Sequence, residues 1–186
     1  MFARYVKVKP PLTVYEQGLV RWDDEKDEFE KVTTFSMHAP LQPAGHTFHH
    51  VEDGVEYVYF CDPLPLVRVR ATADDLADVT SYEAFTCLKA GTREVDRAAD
   101  GTVRYAWKRN TRAVGPAEQQ RSVRNGDLQE SEGLIQLRDR DTGEAVLAHR
   151  GSVYWNDSRK RWGLIATQSR GTSLLGEVWY AEADAP

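Results

Sequence analysis

A few side chains in this sequence can move a proton or grip a polar ligand, and most of them stand where a β-strand begins. His46 brings an imidazole, a side chain that can act as a general acid or base; the same ring also suits a hydrogen bond to a neighbouring strand. Glu177 is the strongest carboxylate candidate, with Glu16 its counterpart in an earlier repeat; either can equally be a solvated strand end. Arg93 and the pair His149-Arg150 can hold a carboxylate or sugar hydroxyls through paired donors, or simply close salt bridges on a rim. Gln168 opens the loop Gln168–Gly176 that leads into Glu177. Trp155 is the aromatic residue placed to stack on a ligand, whereas Trp107, Trp162 and Trp179 read as packing between sheets. His46, His49 and His50 raise a metal site, but side chains alternate along a strand, so His49 points away from the other two. Glu52 shares the face of His46 and His50, yet an extended strand spreads the three apart, and no cysteine lies close in sequence to complete a set. Neither a metal nor another cofactor is expected.

The elements that must position these groups are best read from residues 45–90. Thr47–Glu52 predicts a strand and Asp53-Gly54 a two-residue hairpin turn that needs positive φ. Val55–Cys61 predicts a second strand, rich in aromatic and β-branched residues. Asp62-Pro63 and Pro65 break the chain. Leu66–Ala71 predicts a third strand, with Val67 and Val69 on one face and Arg68 and Arg70 on the other. Thr72 with Asp75 forms a capping-box pattern for a short helical turn. Tyr82–Leu88 predicts a fourth strand. Four short strands with short connections make a meander of the size of one β-propeller blade.

The pattern recurs. Asp100-Gly101 with T-V-R-Y-A-W-K after it lies 47 residues beyond Asp53-Gly54 with V-E-Y-V-Y-F, and Val153–Ala166 is a looser third version. The third strand has partners in Gly18–Trp22 and Glu177–Ala183. The fourth has one in Phe29–Thr33. The chain therefore reads as an all-β, incomplete propeller in one domain, 1–186, with blades at 2–36, 45–90, 92–147 and 148–186. Arg4–Lys9 is expected as the second strand of the first blade. A short helix is expected in the third blade, with Pro116 at its first position and Gly126 past its end, followed by a hairpin around Asp141-Thr142-Gly143. The run from Asp23 to Glu28 reads as a solvated turn. The first blade lacks an inner strand and the last an outer one, so the chain is expected to be a piece of a longer propeller whose open strand edges invite association. Propeller sites gather at one end of a central channel. On this reading His46, Arg93, His149, Arg150, Glu16, Gln168 and Glu177 converge on one mouth.

The segments Gly45–Phe48, Asp53–Phe60 and above all Leu175–Pro186 (L-G-E-V-W-Y-A-E-A-D-A-P) resemble the five-bladed β-propellers of the glycoside hydrolase family 43 type. That resemblance implies a carbohydrate-active propeller that binds a saccharide at the channel mouth, with glycosidic-bond hydrolysis in the complete protein. Such hydrolases place carboxylates on different inner strands, one on each side of the scissile bond. The family's Glu-Gly-Pro acid motif is absent here, and so is the first inner strand. The alternative is a non-catalytic propeller that binds glycan or protein, since one fold hosts many functions.

Bulk properties narrow the field. The chain has 186 residues, 41% hydrophobic, with mean hydropathy −0.58, enough for one domain with a core. Net charge −5 and pI near 5.6 speak against a general nucleic-acid binder. No run of about 18 apolar residues suggests a membrane span. The start, MFARYVKVKPP, lacks the apolar stretch of a secretory signal; export is expected only if more sequence precedes it. Cys61 and Cys87 fall on non-adjacent strands and are expected as two part-buried thiols rather than a disulfide.

Overall fold

The computed structural model describes residues 1–168, 171–173 and 176–186. It is predominantly β: three antiparallel sheets and two helices. The first sheet holds β1 (Phe2–Val6), β2 (Val14–Asp23) and β3 (Glu28–Thr34). The central sheet is a five-stranded meander of β4 (His46–Glu52), β5 (Val55–Cys61), β6 (Val67–Arg70), β7 (Glu83–Thr86) and β8 (Ala106–Arg109). The third sheet holds β9 (Ala148–Asn156), β10 (Arg161–Gln168) and β11 (Val178–Ala183), ordered β11-β10-β9.

The turns form where their residues permit them. Asp53 and Gly54 take φ of 50° and 78°, and the register Glu52↔Val55 closes β4 on β5 without a slip. The Asp23 carboxylate accepts from the backbone of Glu25 and Lys26 and so builds the turn between β2 and β3. Thr72 caps α1 (Ala73–Ala77) by accepting from the Asp75 amide. The longer helix α2 (Pro116–Asn125) starts on proline and ends at Gly126 in the left-handed region, as that residue order dictates.

Two expectations are corrected. The first-blade strand expected at Arg4–Lys9 is β1, Phe2–Val6; it bulges between Tyr5 and Val6, and Pro10-Pro11 follow, with no amide hydrogen to continue a ladder. Residues 92–147 do not form a sheet of their own among the described residues. The Asp100-Gly101 turn forms, with a bridge between Arg97 and Val103. Beyond it, however, β8 joins the free edge of β7 in the register Phe85↔Trp107. Trp107 packs its ring 5.3 Å from Phe85 and 5.7 Å from Tyr59. Lys108 Nζ donates to the Leu88 carbonyl at 2.6 Å and to Asp96 at 2.7 Å. These contacts make the meander's edge the favoured partner. The rest of the segment holds α2, a 3-10 turn at Glu130–Glu132 and a tight reversal around Asp141–Gly143, where Arg138 bridges Ala145.

The sheets stack face to face, with the five-stranded one in the middle. Because side chains alternate, β5 and β6 send Val58, Phe60, Val67 and Val69 to one face. There they bury against Phe35 and Leu41, with Phe2 and Leu19 of the first sheet packed alongside. The opposite face carries Phe48, Tyr59 and Cys61; Phe48 and Cys61 pack on Val153, Trp162 and Leu164 of the third sheet. Cys61 and Cys87 are both fully buried and unbridged, and burial pushes the Cys61 thiol up to about 12.

One surface pair ties the connection between β7 and β8 to the 3-10 turn at Glu130–Glu132. Arg97 donates to both carboxylate oxygens of Glu132, at 2.6 and 2.9 Å, and the Gln129 amide adds a third bond at 2.8 Å. The Arg97 bonds, with that amide, hold the Glu132 carboxyl down to about 2, against an ordinary 4.5. A carboxyl lowered on folding stabilises the fold above its unfolded value and loses that contribution as pH falls through its folded value. Thermal denaturation followed from pH 5 to pH 2 should therefore show an acid-dependent fall that Glu132→Gln flattens. An unchanged slope in that variant would show that the pair is uncoupled from folding.

Candidate functional site

A groove of about 670 Å³ lies between the central and third sheets. Tyr59, Phe85 and Trp107 from the central sheet and Trp162 from the third lie in a lining that is otherwise mostly aliphatic, with Leu64, Leu137 and Leu164 among it and Pro186 at one end. Register explains the gathering. Phe48 faces Tyr59, Tyr59 faces Arg68, and Phe85 faces Trp107, so one face of the meander presents a row of rings. Phe48 lies parallel on Tyr59 with centroids 5.2 Å apart, and reaches Trp162 across the sheets at 4.7 Å. The polar groups of the groove are His50, Glu52, Gln136 and Glu182. His50 meets Trp162 edge-on at 5.4 Å.

Behind the rings lies a buried charge network. Arg68, whose side chain is 9% exposed, pairs with Glu52 and with Glu83 at 3.1 Å. Its guanidinium lies 4.0 Å from the Trp107 ring centroid and 4.1 Å from that of Tyr57, close enough for cation–π attraction. Tyr59 donates to Glu52 at 2.7 Å and accepts from Arg68 at 3.2 Å. Burial pushes the Tyr59 phenol up to about 12, despite the opposing effect of Arg68, so it remains a neutral donor at ordinary pH. Burial disfavours the Arg68 charge, but Tyr59, Glu83 and Glu52 outweigh it and raise its pKa. On the other wall, Glu182 pairs with Arg159 and accepts from Tyr180 at 2.6 Å. Those bonds, Arg159 first, hold its carboxyl below the usual range.

None of the residues expected at a channel mouth lines this groove. Several of them do emerge together elsewhere. His46 begins β4, exposed, opposite Cys61. Gly45 before it takes φ of 86° and lies against the Cys61 carbonyl, where a Cβ has no room. Arg150 pairs with Asp62, the residue after Cys61, which brings the start of β9, His149 included, beside the start of β4. Gln168, at the end of β10, pairs with Ala148 and accepts from the Trp179 indole at 2.6 Å. Glu177 accepts from the Thr172 amide and hydroxyl and from the Ser173 amide, at 2.6 to 2.9 Å. These bonds, the Thr172 hydroxyl first, lower its pKa. Residues 169, 170, 174 and 175 of the expected Gln168–Gly176 loop lie outside the described residues. Arg93 is exposed in the turn after β7 that the Lys89–Glu94 pair closes, and β7 runs back toward the end where β4 starts.

Two candidates stand apart. Glu16 belongs to the first sheet, where it pairs with Lys31. Trp155 lies near the far end of β9 from His149, edge-on to Trp162 at 5.6 Å, with its indole donating to Asp157. His49 points away from the groove to Glu56, 2.7 Å off, as strand alternation requires, and Glu52 is engaged by Arg68. The sequence does not mark as ligand-facing the groove residues Gln136, Glu182, Trp162, Tyr59 and Trp107. A sequence signal existed for the last: the Asp-Gly repeat aligns Trp107 with Phe60, one step from Tyr59. No protein-family model, curated protein or solved structure matches this chain.

Proposed function

We propose that this chain is part of a β-propeller of the glycoside hydrolase family 43 type and that it binds a saccharide. On this reading the binding place is the groove between the central and third sheets rather than the expected mouth. The propeller reading draws support from antiparallel meanders, built on recurrent Asp-Gly or Asn-Asp turns, that stack face to face.

The observation that carries the binding reading is the make-up of the groove: an apolar lining, mostly aliphatic with a few aromatic rings, and a few carboxylate, amide and imidazole groups set into it. A pyranose ring has apolar C–H faces and hydroxyls at its edge. The former suit Trp107 and the aliphatic lining, since Tyr59 and Trp162 are themselves buried; the latter suit Glu52, Gln136 and His50. Binding without hydrolysis is the better supported form. A glycosidic general acid must be free to present its proton to the leaving oxygen, whereas Glu182 is tied to Arg159 and Tyr180, and the expected Glu177, outside the groove, to Thr172 and Ser173.

Calorimetry and tryptophan fluorescence against a panel of oligosaccharides, run alongside a chromogenic glycoside panel, test this. At least one neutral oligosaccharide should quench or shift the emission without being cleaved. Trp107→Ala should weaken that binding by about tenfold, the loss of one stacking ring. A panel that leaves the emission and the calorimeter silent at millimolar sugar would exclude the reading.

A further inference from the structure

We infer that the groove selects its ligand by charge, admitting uncharged sugars and rejecting sugar acids and sulfated sugars. This deepens the saccharide-binding reading and rests on it. The charged side chains that line the groove are of one sign: Glu52 and Glu182, with no lysine or arginine among the described lining residues. The cations nearest them are already committed to protein acceptors. Arg68 is buried behind the wall, held by Glu52, Glu83 and the Tyr59 hydroxyl and flanked by two rings. Arg159, in the turn between β9 and β10, holds Glu182.

A uronate carboxylate or a sulfate entering this space would lose water, meet two carboxylates and find no free cation. Such a group is rejected even where its ring fits, because the desolvation is not repaid and the like charges repel. A neutral pyranose meets the reverse situation. Ionised carboxylates are acceptors only, and sugar hydroxyls are donors. The bonds from Tyr59 and Arg68 both fall on Glu52 Oε2, which leaves Oε1 as the acceptor for a ligand. Arg68 thus serves as a positioning residue that fixes the Glu52 carboxylate against the aromatic wall. The basic residues His46, Arg93 and Arg150 take no part, since none lines the groove and Arg150 is paired with Asp62.

The test uses matched probes on the full chain: neutral galactan oligomers and galacturonan oligomers of equal length, by calorimetry at low and high salt. The neutral oligomer should bind at least about tenfold more tightly, the cost of desolvating an anion that faces carboxylates and finds no uncommitted cation. Salt should narrow the ratio, and Glu182→Gln should narrow it severalfold at low salt. Equal binding of the two oligomers, weakened alike by Trp107→Ala, would overturn charge selection and leave the saccharide reading standing. A ratio that neither salt nor Glu182→Gln moves would also overturn it. Silence from every saccharide of both the matched pair and the wider panel would remove the saccharide reading and this inference together.

Discussion

Replacing Tyr82 with alanine should lower the unfolding free energy by about 3–5 kcal/mol, the range for deleting a large buried ring and leaving a cavity. Tyr82 has no exposed surface. Its ring meets Phe35 edge-on at 5.8 Å and Phe60 at 5.8 Å, and Phe35 in turn stacks on Phe2 at 6.1 Å. Those contacts join the first sheet to the central one, so the variant should loosen an interface as well as a core. Tyr82→Phe separates ring from hydroxyl. The hydroxyl donates to the Leu76 carbonyl at 2.9 Å, and its loss leaves that acceptor unpaired at a cost of about 1 kcal/mol. Burial raises the phenol's pKa, so it stays protonated across the working range and the bond needs no pH correction. Urea denaturation of the three proteins measures both steps. A loss below about 1 kcal/mol in Tyr82→Ala would mean that the sheets pack without this ring.

The parts of the fold legible in the sequence are those set by local chemistry. Asp53-Gly54, the Asp23 turn, Thr72 with Asp75, and Pro116 with Gly126 each require a conformation that few other residues supply. What those signals do not specify is which edge a strand joins. The 47-residue repeat marks Trp107 as part of a strand after a turn, but β8 belongs to the preceding meander because Phe85 and Tyr59 offer its indole a better partner than its own segment does. Arg68 shows the same limit in another form. Alternation with Val67 and Val69 places it on the second face of β6, which in a lone sheet is the wet face. Here a third sheet covers part of that face, and the arginine is buried with its acids. Position in the repeat puts the expected mouth residues at strand starts, and the Arg150–Asp62 pair sets the start of β9 beside that of β4. The groove depends instead on side chains along two sheets that only tertiary packing brings together, and no spacing in the chain encodes that.

Arg68→Ala is expected to be the most damaging single change at the groove, because it removes one cation from several acceptors at once. Glu83 would retain only Arg109, 3.7 Å away, and Glu52 only the Tyr59 hydroxyl. Trp107 and Tyr57 would lose the guanidinium that lies against them. Removing one partner of a buried ion pair costs about 3–5 kcal/mol, since the remaining charge stays desolvated; the lower end applies here, because the Glu52 side chain is 42% exposed and can recover water. Arg68→Met fills much of the same space without the charge, and in combination with Glu52→Gln and Glu83→Gln it removes the stranded anions as well. That triple variant should recover most of the stability lost in Arg68→Ala, yet bind neutral oligosaccharide at least about tenfold more weakly than the native chain, for want of a fixed carboxylate. Stability and affinity are then separable quantities, read by urea denaturation and calorimetry on the same samples. If the triple variant regains stability and still binds like the native chain, the network serves only the fold. If Arg68→Ala unfolds within about 1 kcal/mol of the native protein, the arginine carries neither load.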